Sequence, residues 1–439
     1  MIREETWKPS VLILITFVSY AVKYGVNLLL AHHMTDAYYG DYSLAMKFLD
    51  FVIILSLFGT YLGSTRFYAK YVESKEEEMA INYIAWDSQM FKITFSLVSL
   101  FGLLIFVIMW ILHWSGIRHI TQYHIIVYMF WVGPFAALAR FLGGILVANN
   151  FPILQALYAS IVRYIVQFIL FLLIILFVSP MLSNIEIFFV IVSVFVFEII
   201  LALCSLKKDT LQNIYLGIQK ARTTHHLSNQ LWMTTCRRLA LNKAFFSLIC
   251  LTDITFVRLF SKQSSDVGHY AAALLLCSFL WLITRRAYNS LKHSISLSLQ
   301  NKSLQKKLQI QLDRVNAIII PIIILFAGLI LYFAHPLLFN FGPRYVAAVP
   351  ALMILTFGTC LASICHISSV LLAFGGEESI LLKVAYLELG MLLILLWPAT
   401  HFYGITGTAV ATVIAMLSKA FVGTFYVRRI FGVRPILIF

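Results

Sequence analysis

Basic residues lie inside stretches that otherwise read as membrane helices, and the most informative are Lys23, Lys47, Arg140, Arg163, Arg258 and Lys419. A cation at the centre of a bilayer costs roughly 2.5 to 3.5 kcal/mol on insertion scales, so such a side chain usually faces an aqueous cavity or an oppositely charged partner. Ammonium and guanidinium groups bind phosphates and carboxylates through charge-assisted hydrogen bonds. These residues therefore predict a membrane pathway for an anionic substrate.

Acidic residues also lie well inside these apolar stretches, namely Asp50, Glu198, Asp253 and Glu388. Buried carboxylates of this kind serve either as counter-ions of cations or as sites for a coupling proton or sodium ion. We favour the counter-ion interpretation because the cations outnumber the acids. Asp253 is the best test of coupling, since no opposite charge stands three or four residues away. Beyond such an ion, no cofactor is expected.

The spacing of polar residues in the first two apolar stretches predicts which helix faces line the pathway. Thr16, Tyr20, Lys23 and Asn27 follow one another at intervals of four, three and four residues, which places them on one stripe of a helix. Lys23 and Asn27 are therefore predicted to line the cavity. Lys47 can pair with Asp50 one turn away, but Lys47 and Arg258 also stand near a membrane interface, where snorkelling alone would explain them.

The composition defines the class of protein. Hydrophobic residues make up 61% of the 439 residues, charged residues only 12%, and the mean hydropathy is +0.89. Soluble domains carry roughly a quarter charged residues, so the chain is predicted to be an all-α polytopic membrane protein. The net charge of +14 reflects basic residues that lie between apolar runs and form no nucleic-acid-binding motif. We expect no nucleic-acid partner.

Windows of about 20 apolar residues are long enough to span ~30 Å of hydrocarbon. Twelve can be placed, at 10–31, 42–65, 91–113, 124–148, 154–178, 185–206, 241–260, 267–290, 314–339, 346–373, 380–400 and 403–427. The seventh is the least regular, because Asn242, Asp253 and Arg258 interrupt it.

The windows divide the chain into an N-lobe of six helices (1–206), a basic linker (207–240), a C-lobe of six helices (241–427) and a tail (428–439). Lys and Arg concentrate in alternate connections, which places both termini in the cytoplasm. In the linker, Leu211, Ile214, Tyr215 and Ile218 recur at helical spacing. They predict either a helix on the lipid surface or an ordinary basic linker.

An internal repeat organises these windows. Residues 39–45 (YGDYSLA) enter the second helix and residues 267–273 (VGHYAAA) enter the eighth, 228 positions later. Residues 148–150 (ANN) precede the fifth helix and residues 373–375 (AFG) precede the eleventh, 225 positions later. Six helices separate the members of each pair, and an even number gives both halves the same orientation in the membrane.

Metal binding and enzymatic catalysis have little support in the sequence. Cys360 and Cys365 fall on different faces of a helix, and no metal site is expected. The chain lacks the GxxxxGK[ST], HExxH and GxSxG motifs, so neither ATP-driven transport nor hydrolysis is predicted. Several histidines, such as His33 and His269, cluster near the predicted outer helix ends, where interfacial anchoring is a simpler interpretation than pH sensing.

The motifs at 39–45, 58–69 (FGTYLGSTRFYA) and 403–412 (YGITGTAVAT) give the chain a resemblance to a known group. It resembles the Wzx-type polysaccharide and O-antigen flippases of the multidrug/oligosaccharidyl-lipid/polysaccharide exporter superfamily, abbreviated MOP. The twelve helices and the basic central segment fit this resemblance. Residues 183–185 (SNI) depart from it, since they lack the glycines found before the twelfth helix.

The resemblance implies two six-helix lobes that alternate access and move an undecaprenyl-diphosphate-linked oligosaccharide across the bacterial inner membrane. The implied process is the biosynthesis of cell-surface polysaccharide such as lipopolysaccharide. A polysaccharide polymerase and a chain-length regulator are the implied protein partners. Lys23, Lys47 and Arg258 are then expected to contact the diphosphate or acidic sugars, with Arg140, Arg163 and Lys419 deeper in the lobes.

The main alternative is a cation-coupled drug or metabolite exporter of the multidrug and toxin extrusion (MATE) type. A cavity for cationic drugs should be dominated by acidic and aromatic residues, because attraction must compensate the lost hydration of the ligand. The excess of bases in the apolar stretches favours the flippase.

Overall fold

The computed structural model of the protein describes residues 7–114, 124–149, 151–223, 230–289, 291, 295 and 302–435. The regular structure of these residues is helical throughout, and no strand occurs among them. Within hydrocarbon no water satisfies the peptide groups, and a helix is the element that pairs all of them within one segment. The long apolar windows therefore become helices.

The described residues of the first half form ten α-helices, with π-helical turns at Ser64–Tyr68 and Leu157–Val162. The α-helices are α1 (Trp7–His33), α2 (Asp36–Leu57), α3 (Thr60–Gly63), α4 (Ala69–Glu73), α5 (Glu77–Trp114), α6 (His124–Ala148), α7 (Pro152–Ala156), α8 (Arg163–Phe177), α9 (Asn184–Ser205) and α10 (Lys208–Thr223).

The second half contains longer helices and a 3₁₀ turn at Pro343–Ala348. The α-helices are α11 (Gln230–Phe260), α12 (Asp266–Asn289), α13 (Lys302–Tyr332), α14 (Ala334–Phe339), α15 (Val349–Phe374) and α16 (Glu378–Phe431).

Ten helices are long and apolar enough to cross a membrane, and α2 with the segment Thr60–Glu73 forms an eleventh candidate, bent by 66°. The candidate span in α16 has 53 residues, which corresponds to roughly 80 Å at 1.5 Å per residue and exceeds the thickness of a bilayer. Gly404 breaks α16 with φ 58° and ψ −141°. When α16 is divided at Gly404 into two spans, the described part of the chain provides twelve spans. The predicted all-α, polytopic fold is confirmed.

The turn before α9 shows how the chain starts a helix where the repeat lacks its glycines. The Ser183 hydroxyl accepts a hydrogen bond from the Glu186 amide at 3.4 Å, and the Glu186 carboxylate accepts one from the Ser183 amide at 2.6 Å. This capping box satisfies two amides that the first helical turn leaves without partners. A side-chain cap therefore replaces glycine at this position.

The chain divides into two compact units. Unit 1 comprises residues 1–20, 30–40 and 249–439, and unit 2 comprises residues 21–29 and 41–248. The predicted linker contains α10, which belongs to unit 2, where a Cβ on Gly217 would overlap the Ile84 side chain of α5. Ile214 is buried there, whereas Tyr215 and Ile218 are exposed. The lobe boundaries at 206, 240 and 427 and the cytoplasmic termini stay predictions.

The two repeated glycine motifs meet within unit 1. A Cβ on Gly40 would overlap the backbone nitrogen of Gly268, and a Cβ on Gly268 would overlap the carbonyl oxygen of Asp36. Two chain segments can approach this closely only where no side chain intervenes. The glycines shared by the two motifs therefore allow direct backbone packing.

Replacing Gly404 with Ala should lower the free energy of unfolding by about 1 to 3 kcal/mol, since residues with a Cβ rarely adopt its backbone conformation. Gly390→Ala, in a regular part of α16 where a Cβ meets nothing within 4 Å, is the matched control and should not destabilise. Thermal unfolding of the detergent-solubilised protein measures both variants. Equal stability of Gly404→Ala and the wild type would contradict the break.

Candidate functional site

Arg163 of α8 and Glu198 of α9 form a buried ion pair in unit 2. The Arg163 Nε and Nη2 atoms donate to the same Glu198 oxygen, Oε2, at 2.9 and 2.5 Å. Only 12% and 6% of the two side chains are exposed, and the guanidinium carbon lies 4.7 Å from the centre of the Phe195 ring. Glu198 thus has the geometry of a counter-ion, and it neutralises the cation within the apolar helix pair.

Lys419 and Glu388 form a similar pair in unit 1, on the two parts of α16 that Gly404 separates. The Lys419 ammonium donates to Glu388 Oε2 at 2.7 Å, and 16% and 6% of the side chains are exposed. Glu388 lies 225 residues after Arg163, which is the offset between the motifs before the fifth and eleventh helices. An ion pair therefore ties α8 to α9 in unit 2 and the two parts of α16 to each other in unit 1, with the order of the charges exchanged.

Asp50 and Arg140 approach each other in unit 2. The Arg140 Nη2 atom lies 4.0 Å from Asp50 Oδ1, at the outer limit of an ion pair, and the Asp50 side chain is largely exposed. Exposed pairs with this separation contribute little to stability. Arg140 thus differs from Arg163, because its guanidinium stays accessible to another anion.

The predicted cavity residues of α1 and α2 lie in unit 2. Lys23 stands near the middle of the candidate span Leu14–His33 and is half-buried. Its carbonyl oxygen accepts a hydrogen bond from Asn27 Nδ2 at 2.8 Å, which orients the Asn27 amide along the helix. Among the described residues, no carboxylate lies within ion-pair distance of the Lys23 ammonium. Lys47 is half-buried as well.

Arg258 and Asp253 lie on α11 in unit 1. Arg258 is half-buried in the last turn of the helix. Asp253 is buried, and its oxygens accept from the Ile254 amide at 2.7 Å and from the Tyr270 hydroxyl at 3.5 Å. Tyr270 comes from the second glycine motif and also lies 3.3 Å from the Thr412 hydroxyl.

The structure groups the predicted site residues within the two units. Unit 2 holds Lys23, Asn27, Lys47, Asp50, Arg140, Arg163 and Glu198, and unit 1 holds Asp253, Arg258, Glu388 and Lys419. Asp50, Glu198 and Glu388 each lie beside a cation that belongs to another span. The roles of all these residues in binding substrate or a coupling ion stay predictions. No group of three or more His, Cys, Asp or Glu residues in the described ranges could hold a metal ion.

Asp87 is a buried acid that the apolar windows missed. The third window begins at residue 91, whereas α5 begins at Glu77 and its candidate span covers Glu77–Ile108. Asp87 is completely buried. Buried residues at 80, 83, 84 and 87 recur at helical spacing, and this periodicity was the available signal for a longer helix.

The buried ion pairs predict a characteristic pattern of stabilities. Glu198→Leu should lower the free energy of unfolding by about 3 to 5 kcal/mol, because it leaves the Arg163 charge without compensation. The double variant Arg163→Met/Glu198→Leu should recover most of the lost stability. In the same way, adding Lys419→Met to Glu388→Leu should recover most of the stability that Glu388→Leu loses. Thermal unfolding in detergent measures both series. Double variants no more stable than the single ones would contradict ion-pair compensation.

Comparison with known proteins supports the fold alone. No family model matches the sequence, and no curated protein matches it either. Several solved structures are similar over nearly the whole chain. One is an inward-facing multidrug resistance MATE family transporter of the MOP superfamily, with 14% identity, 97% and 98% of the two chains covered and a TM-score of 0.74.

Two further structures extend the comparison. The lipid II flippase MurJ in an inward closed conformation has 15% identity, with 95% of this chain and 87% of that chain covered and a TM-score of 0.66. The Vibrio cholerae MATE transporter VcmN in its bent form has 15% identity, with 96% of both chains covered and a TM-score of 0.60. These proteins are transporters and a flippase, and the likeness shows that the chain shares their fold. The chain is a multi-pass membrane protein with the fold of the MOP transporters.

Proposed function

We propose that the protein is a lipid-linked oligosaccharide flippase. It would translocate an undecaprenyl-diphosphate-linked glycan across the bacterial inner membrane by ion-coupled alternating access. The product would enter the biosynthesis of a cell-surface polysaccharide, such as the O-antigen of lipopolysaccharide. The fold supports a transporter, and the charges within the spans support an anionic substrate.

The environment of Lys23 is the observation that carries this proposal. Lys23 is half-buried near the middle of a span, and no described carboxylate lies within ion-pair distance of its ammonium group. A cation at this depth requires water or an anion, because hydrocarbon does not replace its hydration. A diphosphate head group has the matching need, since charge-assisted hydrogen bonds compensate the loss of phosphate hydration.

The remaining cations fall into two groups under this proposal. Arg163 and Lys419 are held by Glu198 and Glu388, so they would shape the lobes and contact the glycan only if the pairs open. Lys47 and Arg140, which belong to unit 2 like Lys23, would contact the diphosphate or acidic sugars, and Arg258 is the candidate for such a contact in unit 1. Asn27, one turn from Lys23, would donate a neutral hydrogen bond to the same head group.

The proposal also implies partners. Membrane lipids would contact the exposed Tyr215 and Ile218 of α10, and Lys220 and Arg222 would favour an anionic leaflet. A polysaccharide polymerase and a chain-length regulator would receive the translocated glycan.

A MATE-like exporter of cationic drugs or metabolites is the second candidate. The likeness to the inward-facing MATE transporter, with its TM-score of 0.74, favours this candidate. Asp253 is a buried carboxylate beside the aromatic ring of Tyr270, and acids with aromatic residues suit a cationic ligand. The charge of the transported molecule separates the two candidates.

Reconstitution into proteoliposomes tests the choice directly. We expect a fluorescent polyprenyl-diphosphate oligosaccharide to change leaflets in vesicles that contain the protein and to stay in place in empty vesicles. A cationic dye such as ethidium should not be transported. Dye transport without glycan translocation would reject the flippase in favour of the exporter.

Lys23→Ala should abolish glycan translocation while leaving the amount of membrane protein unchanged, because it removes the uncompensated cation. Lys23→Arg should retain part of the activity, since it keeps the charge. Lys383→Ala, which removes an exposed lysine of α16, is the matched control and should transport normally. Unimpaired translocation by Lys23→Ala would refute the assignment of this residue.

A further inference from the structure

Asp87 lies in a completely enclosed part of unit 2. It belongs to the apolar helix α5, beside Trp86 and one turn from Tyr83, which are both part of a cluster of buried aromatic and aliphatic residues. An ionised carboxylate in such surroundings is very unfavourable unless a cation or several hydrogen-bond donors compensate it. The compensation available to Asp87 therefore determines its charge.

Two hydroxyl groups face Asp87, those of Thr60 and Ser64, and each of them also serves a backbone carbonyl oxygen. The Thr60 hydroxyl donates to the carbonyl oxygen of Leu57 at 2.7 Å. The Ser64 hydroxyl lies 3.2 Å from Asp87 Oδ2 and 3.1 Å from the carbonyl oxygen of Thr60. One hydroxyl proton cannot fully serve both acceptors. The other carboxyl oxygen, Oδ1, is buried without a hydrogen-bond partner in the described part of the chain. An ionised Asp87 would thus have two oxygens and only hydroxyl donors that also serve backbone carbonyl oxygens.

Charged groups do not provide the missing compensation. The titratable side chains that face Asp87 are Tyr83, on its own helix, and Cys236, on α11. Both are neutral in their ordinary state, and the Tyr83 hydroxyl donates to the carbonyl oxygen of Thr60 at 3.2 Å. Nearby basic residues in the sequence, Arg66 and Arg237, have exposed side chains. Asp87 forms no ion pair with a described residue.

A proton on the carboxyl group resolves both difficulties. The neutral acid needs no counter-ion, and its hydroxyl can donate to the Ser64 oxygen. Ser64 is then free to donate its own proton to the Thr60 carbonyl oxygen. The group takes this proton from water and returns it to water, and no other reactant is consumed.

The carboxyl group adjoins the most irregular part of the second span. Phe58 and Gly59 both have positive φ, of 47° and 76°, and the span bends by 66° between Leu57 and Thr60. Ser64 begins the π-helical turn Ser64–Tyr68 that follows. π-Helical turns and helix breaks are places where a helix can change its hydrogen bonding. Loss of the proton would draw Ser64 away from the Thr60 carbonyl and towards Asp87.

We propose that Asp87 is a proton-binding site of this transporter, and that its protonation is linked to the geometry of the break in the second span. Asp87 differs in this from Glu198 and Glu388, which are neutralised by cations. The proposal rests on the transporter function proposed above, but it is independent of the transported substrate.

Infrared spectroscopy of the purified full-length protein in lipid nanodiscs tests the site without any substrate. At neutral pH the wild type should show the carbonyl band of a protonated carboxylic acid, with a shift in D₂O. Asp87→Asn should lose this band, whereas Asp209→Asn, which removes an exposed acid of α10, should retain it. A band that persists in Asp87→Asn, or that disappears in Asp253→Asn instead, would overturn the proposal.

Ser64→Ala provides a second test that keeps the acid in place. It removes the hydrogen bond to Asp87, so the carbonyl band should shift in frequency without disappearing. An unshifted band would exclude the assignment to Asp87 even if Asp87→Asn does not fold.

Transport measurements then test the link to function. In proteoliposomes, transport by the wild type should accelerate when a pH gradient is imposed, and Asp87→Asn should lose this acceleration. Acceleration by a sodium gradient alone would reject a proton at this site. The infrared experiments contain no glycan, so a negative infrared result would leave the flippase proposal intact. Conversely, a failure of glycan translocation would leave the infrared assignment of Asp87 intact.

Discussion

The low polarity of the membrane interior is the constraint on which this structure depends. Each charged group within a span must be paired, must reach water or must lose its charge, because hydrocarbon does not replace its hydration. Arg163 is paired with Glu198, and the Asp50 side chain is largely exposed. Asp87 is enclosed without a cation, and its loss of charge is the third solution that we propose.

The repeated halves meet this constraint with similar geometry and exchanged charges. In unit 2 the cation, Arg163, precedes the acid, Glu198, along the chain. In unit 1 the acid, Glu388, precedes the cation, Lys419. Repetition therefore extends beyond the glycine motifs to the electrostatics of the helix pairs. Tyr42 and Tyr270 add to this pattern, since each comes from a glycine motif and each contacts a polar side chain of another span, Gln167 and Asp253 respectively.

Breaks in the helices concentrate where glycine or a π-helical turn interrupts the regular hydrogen bonding. Gly404 separates two spans without an intervening loop, and the bend after Leu57 leads into the turn that contains Ser64. Such interruptions are the usual causes of bends in long helices. Under the proposed function, alternating access would need both rigid helix pairs and deformable joints, and the ion pairs and the breaks would provide these two elements.

Composition and periodicity alone determined the all-α class, the apolar windows and the positions of the charges within them, because these properties depend on neighbouring residues. The apolar windows missed buried residues that lie on a helix but outside its apolar part. Asp87 is such a residue, because the buried face of α5 continues past the apolar window. Pairings such as Arg163 with Glu198, 35 residues apart, were decided only by the tertiary structure. Spacing along one helix relates residues three or four positions apart, whereas contacts between spans depend on how the helices pack.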